Sequence, residues 1–104
     1  MNMEILNPTP ETPLVESLMD GDVYNITCSG KECLDGVIKK IAAAFNEPAF
    51  LHQEIADTIT QGKDWRFEGT FNLKLRGNKL VFDNRNGRGV EANRLRMKQI
   101  VAAI

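Results

Sequence analysis

The sequence predicts a small α+β domain in which an antiparallel sheet packs against helices. Three observations predict this class. Apolar residues recur at three- and four-residue steps between positions 34 and 59, the spacing of helices with one buried face. From Trp65 onward apolar and polar residues alternate, which is the period of a strand with one buried side. A Gly77-Asn78 pair then separates two apolar runs, as in a two-residue hairpin.

Length and composition predict one globular domain over residues 1–104, with 26% charged residues. Residues 1–11 contain two prolines and are expected to form an extended N-terminal arm. No apolar run approaches the roughly 20 residues that cross a bilayer, and the first residues lack a basic or apolar signal region. We therefore expect a cytoplasmic protein with no membrane partner.

The elements that follow the arm are a short helix and a strand. Thr12 before Pro13 has the pattern of an N-cap followed by proline at the first helical position, which predicts a helix up to Met19. The run 22–28 is rich in β-branched and aromatic residues and predicts a strand. Three of its residues share the face expected to be buried, namely Tyr24, Ile26 and Cys28.

Residues 29–61 are predicted to form a helical hairpin. Ser29 and Glu32 have the spacing of a capping box and mark the start of a helix over 29–46. Pro48 starts a second helix over 47–61, and Gly62 closes it.

Residues 65–84 are predicted to form a β-hairpin around Gly77-Asn78. Folding there places Leu75 opposite Leu80 and Leu73 opposite Phe82, so one face stays apolar across the turn. Two strands alone are barely stable, so the strand at 22–28 is expected to join them in the sheet.

The last predicted element is a helix over 90–103 with two apolar sides. One side carries Val90, Met97, Ile100, Val101 and Ile104, and the other carries Leu95, Ala102 and Ala103. The second side suggests a further partner, so we expect a homo-oligomer, with a dimer favoured.

The charges are divided between the two halves of the chain. Residues 1–62 carry three lysines and ten acidic residues, a net charge of −7, whereas residues 63–104 carry ten basic and four acidic residues, a net charge of +6. This asymmetry either indicates an anionic partner for the basic half or is neutralised where the two halves meet, within the fold or across an oligomer interface.

No residue pattern specifies a chemical reaction. Cys28, Cys33 and His52 are too few and too widely spaced for a closed zinc site, and we expect two buried thiols and a partly buried structural histidine. Asp20 and Asp22 flank a glycine, where aspartates occur for turn geometry. The sequence therefore predicts no metal, no cofactor and no enzymatic activity.

The segment Asn84-Arg85-Asn86-Gly87-Arg88-Gly89 is the candidate binding site. A glycine-containing loop that leads into a helix offers free backbone amides, and arginine and asparagine side chains can add hydrogen bonds to a phosphate. The predicted ligand-binding residues are Asn84, Arg85, Asn86, Arg88, Arg94 and Arg96, together with Trp65 as an exposed ring. The alternative is a solvated turn whose arginines only maintain solubility.

The sequence thus predicts a non-catalytic binding module for a phosphate-bearing ligand, bound by the basic C-terminal segment. A nucleotide-like small molecule is slightly favoured over a nucleic acid, because the arginines cluster near a turn. The alternative is a protein-interaction or inhibitor module whose acidic helices, residues 31–61, dock on a larger target.

Overall fold

The computed structural model describes residues 12–85 and 90–104, which form a five-stranded antiparallel sheet and three α-helices. The strands are β1 (Leu14–Leu18), β2 (Val23–Thr27), β3 (Trp65–Phe67), β4 (Phe71–Arg76) and β5 (Lys79–Asp83). The helices are α1 (Lys31–Ala44), α2 (His52–Thr60) and α3 (Val90–Ala102). The α+β class is confirmed; the arm predicted at residues 1–11 lies outside the described residues.

The sheet has the order β1-β2-β5-β4-β3, with every neighbouring pair antiparallel. The predicted register of the β4–β5 hairpin is confirmed, since Leu75 pairs with Leu80 and Leu73 with Phe82. Gly77 has φ +66°, which explains why glycine begins this two-residue turn. β2 pairs with β5, as predicted for the strand at 22–28.

The helix predicted from Pro13 to Met19 is wrong, because Leu14–Leu18 is strand β1. β1 pairs with β2 along its whole length, from Leu14 opposite Thr27 to Leu18 opposite Val23. A tight connection at Met19–Gly21, with left-handed φ values of 51°, 56° and 89°, reverses the chain between them. Pairing with the available edge of β2 outweighed the local helix signal, and proline is also tolerated just before a strand.

The single strand predicted to begin at Trp65 is also wrong, because it is interrupted after Phe67. Glu68 and Gly69 have φ values of 53° and 71°, and the Thr70 amide donates to the Phe67 carbonyl at 3.1 Å. This turn makes β3 and β4 a second hairpin, in which Phe67 pairs with Phe71. Apolar and polar residues continue to alternate through this turn, so the sequence of β3 and β4 resembled a single strand.

Helices α1 and α2 confirm the predicted helical hairpin with shorter bounds. The capping box at Ser29 and Glu32 is wrong, since Gly30 is the N-cap of α1 and no side chain caps it. A 3₁₀ turn at Ala49–Leu51 precedes α2.

All three helices contribute to one hydrophobic core on one face of the sheet. The strand residues in this core are those that point to that face, namely Tyr24, Ile26, Phe67, Phe71, Leu73, Leu80 and Phe82. On the predicted core side of α3, Met97 and Ile100 are buried, and Val101 and the C-terminal Ile104 pack against the core as partly buried residues. Leu95, Ala102 and the following Ala103 are exposed. The dimer expected through the exposed side stays a prediction.

Candidate functional site

Three arginines of the predicted site each make a two-pronged contact with a carboxylate of the same chain. Arg94 donates through Nε and Nη2 to the two carboxylate oxygens of Asp22, at 2.8 and 3.1 Å. Arg85 donates to Asp83 through Nε, Nη2 and its backbone amide, at distances between 2.6 and 3.0 Å. A phosphate would have to compete with these bonds.

The Arg94–Asp22 and Arg85–Asp83 pairs lie close together, where β2 begins and the neighbouring β5 ends. Asp83 ends β5, and the Asn84 amide next to it donates to the Asp22 carbonyl at 3.1 Å. The hydrogen bonds from Arg94 lower the pKa of Asp22. Burial opposes ionisation of Asp83, but the bonds from Arg85 still hold its pKa below the usual value. Both carboxylates are therefore ionised at neutral pH and neutralise their arginines.

Arg96 fastens α3 to the turn between β3 and β4. Its Nη1 and Nη2 donate to the two carboxylate oxygens of Glu68 at 2.6 and 2.8 Å, and these bonds lower the pKa of Glu68. Its guanidinium also lies 4.8 Å from the ring centre of Phe45 and 5.6 Å from that of Phe71. This combination of an ion pair and cation–π contacts indicates a structural role.

Of the other predicted site residues, Asn84 lies next to the two ion pairs beside β2 and β5, whereas Trp65 lies elsewhere on the sheet. Trp65 is partly buried against the core and is not the exposed ring expected from the sequence. Asn84 is 1% exposed, and neither polar atom of its side chain has a hydrogen-bond partner among the described residues. Asn86 and Arg88 lie outside the described residues.

The structure reveals a different group of cations on the face of the sheet opposite the helices. Four basic side chains alternate with the buried residues of β3, β4 and β5 and so point to this face: Arg66, Lys74, Arg76 and Lys79. Lys74 is half-buried and the other three are exposed. We call these four residues the basic sheet face.

None of the four residues of the basic sheet face forms an ion pair within the described part of the chain. The ion pairs of the described residues involve other basic side chains, namely Lys31, Arg85, Arg94 and Arg96. Arg76 is directly opposite Lys79, so two like charges occupy neighbouring positions across the β4–β5 turn. Asp83 lies close enough to Lys74 for the lysine to help lower its pKa. Like charges opposite each other destabilise a sheet, which makes an anion a favourable neighbour.

Sequence reasoning missed this group, although its signal was present. The four cations are the polar half of the same alternation that predicted the strands. These cations lie close together only because β3, β4 and β5 are neighbours in the sheet. The turn at Glu68–Thr70 folds β3 back on β4, so that Arg66 pairs with Asn72.

The remaining candidate residues have structural contacts. His52 Nε2 lies 2.9 Å from the Glu47 carbonyl oxygen and, as its donor, braces the turn before α2. Burial raises the pKa of the Cys28 thiol to about 12, with a further contribution from the adjacent Cys33. Within residues 12–85 and 90–104 no cluster of three or more ligating side chains could hold a metal ion. No helix in these ranges is long and apolar enough to span a membrane.

Comparison with known proteins does not assign the chain to a family. No protein-family model, curated protein or solved structure matches the chain.

Proposed function

We propose that the protein is a non-catalytic module whose basic sheet face binds the phosphate backbone of a nucleic acid. The observation that supports this proposal is the group of four cations on three neighbouring strands, none of which forms an ion pair with a described residue. Cations that neutralise phosphates release counterions, and this release drives sequence-independent binding.

The shape of the site favours a polymer over the small nucleotide that the sequence slightly favoured. Pockets that enclose small ligands are concave, whereas these cations lie on an open sheet face. Three surface depressions, near Gly30, Gly36 and Gly21, are lined by residues other than these cations. Residues two apart on a strand are separated by about 7 Å, so Lys74 and Arg76 can contact successive anionic groups of an extended chain.

The groups around the basic sheet face favour contacts with the phosphate backbone of a nucleic acid over recognition of its bases. Asn72 lies beside Arg66 and donates to Asp64 at 3.3 Å, so an acidic side chain lies next to this face. The core rings Phe67, Phe71 and Phe82 are fully or almost fully buried on the other face and offer no stacking platform here. We therefore expect weak sequence preference and strong salt dependence.

The test is fluorescence anisotropy with a labelled single-stranded oligonucleotide of about 20 nucleotides. Four phosphate contacts give a slope of log affinity against log salt of about −2.8, so affinity falls about 50-fold between about 50 and 200 mM salt. Arg76→Gln with Lys79→Gln should reduce the slope to about −1.4, a loss of about 7-fold over the same range. The fold should be no less stable in this variant, because the substitution removes a like-charge pair.

A matched double substitution on α1, Lys39→Gln with Lys40→Gln, is the control and should leave the slope unchanged. Equal slopes in the two double variants would refute the proposed face, and so would the absence of any anisotropy change at about 50 mM salt.

A small phosphate-bearing ligand near residues 84–89 is a second candidate, favoured by the buried Asn84 side chain. A buried amide without partners costs about 1–3 kcal/mol, and a ligand could supply the missing bonds. Thermal shift with ATP and with pyrophosphate tests this site, since a hundredfold excess over Kd stabilises the fold by about 2.7 kcal/mol. The shift should disappear in Asn84→Ala and persist in the Arg76→Gln and Lys79→Gln variant; a shift that survives Asn84→Ala contradicts it.

A further inference from the structure

Phe50 is unlike the other four phenylalanines of the chain. Phe45, Phe67, Phe71 and Phe82 are at most 6% exposed, whereas Phe50 is 82% exposed. It lies in the 3₁₀ turn at Ala49–Leu51 that leads into α2. Because so little of the Phe50 ring is buried, its apolar surface contributes little to the stability of the fold. Aromatic side chains are enriched at the centres of protein interfaces.

The turn that carries Phe50 is held firmly in place. The Leu51 amide donates to the Pro48 carbonyl at 2.9 Å, and the Glu47 amide donates to the Ala42 carbonyl of α1 at 3.0 Å. His52 Nε2 contacts the Glu47 carbonyl at 2.9 Å, and Leu51 packs against the core. Phe50 is therefore presented on a pre-organised element, which lowers the entropy lost when a partner binds.

The surface next to Phe50 is acidic. Gln53, Glu54 and Asp57 of α2 follow Phe50 at steps of three, four and seven residues, and all three are exposed. Asp57 accepts a hydrogen bond from Gln53 at 3.0 Å, and neither Glu54 nor Asp57 has an ion-pair partner among the described residues. Residues 41–62 contain no lysine or arginine. We call Phe50, Gln53, Glu54 and Asp57 the Phe50 face.

We propose that the Phe50 face docks on a protein partner that has an apolar pocket bordered by lysine and arginine. The ring would fill the pocket, while Glu54 and Asp57 would pair with the basic border. Charge complementarity selects this partner: acidic residues beside the ring repel a nucleic acid and an anionic lipid surface alike. This surface is distinct from the basic sheet face, so the protein can hold a polyanion and a protein at the same time.

The test uses a phage-displayed library of random constrained peptides selected against the purified full chain. Enriched peptides should combine apolar residues with lysine or arginine. Synthetic copies should bind Phe50→Ser at least tenfold more weakly than wild type, and the Glu54→Lys and Asp57→Lys double variant likewise. Matched controls are Leu14→Ser, which replaces another exposed apolar side chain, and Glu32→Lys, which reverses an exposed charge on α1; both should bind as wild type does.

Three outcomes would overturn the proposal: no enrichment, enriched peptides without basic residues, or equal affinity for Phe50→Ser. Analytical ultracentrifugation tests whether the Phe50 face instead binds a second copy of this chain. Self-association of the wild type that is lost in Phe50→Ser would identify that second copy as the partner. Phe50→Ser should keep the wild-type circular dichroism spectrum and oligonucleotide binding, so its effect is separable from unfolding and from the proposed nucleic-acid site.

Discussion

Replacing Phe45 by alanine should remove a large part of the stability of this fold. The Phe45 ring is 6% exposed and stacks on Phe67 with centroids 4.7 Å apart and an interplanar angle of 8°. It also lies 4.9 Å from Phe71 and 6.1 Å from Phe82, and Arg96 covers it at 4.8 Å. The residue thus joins α1 to β3, β4, β5 and α3.

The expected cost of Phe45→Ala follows from these contacts. Truncation of a buried phenylalanine costs about 3–5 kcal/mol, out of a total stability of about 5–15 kcal/mol for a domain of this kind. At roughly 4–8 °C per kcal/mol, a loss of 3 kcal/mol lowers Tm by at least about 12 °C. Urea unfolding followed by the fluorescence of Trp65, the single tryptophan, measures the change.

Phe50→Ala is the matched control, because it makes the same chemical change five residues away in the same helical hairpin. With the ring 82% exposed, the free energy of unfolding should change by no more than about 0.5 kcal/mol. A Phe45→Ala variant within about 1 kcal/mol of wild type, or equal costs for the two substitutions, would show that the aromatic cluster is not the centre of the core.

Two further predictions concern ionisable groups. Because Arg96 lowers the pKa of Glu68, this pair stabilises the fold fully above the ordinary glutamate pKa of about 4.3, and the contribution is lost as pH falls below it. Urea midpoints of wild type and Glu68→Gln should therefore differ at about pH 6 and converge toward about pH 2.5; a gap that is constant with pH would contradict the pairing. Since burial raises the pKa of Cys28 to about 12, a thiolate-selective reagent at about pH 8 should label Cys28 in a Cys33→Ala variant only after unfolding. Rapid labelling of the native variant would show that Cys28 is accessible.

The parts of the fold that local periodicity determines could be predicted from the sequence. The alternation after Phe71 and the Gly77-Asn78 turn fixed the register of β4 and β5, because a shift by one residue would have turned Leu73 and Leu80 away from the core. The parts that depend on distant partners could not. Leu14–Leu18 is a strand because β2 offers an edge to it, and no local pattern records that edge.

The candidate site shows the same limit. The sequence predicted arginines near residue 84 as phosphate ligands, but Arg85, Arg94 and Arg96 each contact a carboxylate. Local patterns could not assign the distant partners of Arg94 and Arg96. Arg94 and Asp22 are 72 residues apart, and Arg96 and Glu68 are 28 apart. Pairing across such separations is decided by the packing of α3, whereas the spacing of residues along the chain shows only that cations are present.

These ion pairs also explain how the charge asymmetry of the chain becomes two separate surfaces. Asp22–Arg94 joins the acidic and basic halves, whereas Arg85–Asp83 and Arg96–Glu68 lie within the basic half. Arg85 engages the carboxylate of Asp83, which lies on the same sheet face as Lys74 and Lys79. Only one described ion pair therefore joins the two halves, and cations without an ion pair remain on β3–β5 while carboxylates without one remain on α2. Surfaces of opposite charge on opposite sides of one core repel each other's partners, because the phosphates that the sheet face attracts are disfavoured near Glu54 and Asp57. On this reasoning, Arg85 supports the proposed nucleic-acid site by neutralising Asp83, even though other residues make the proposed contacts with phosphate.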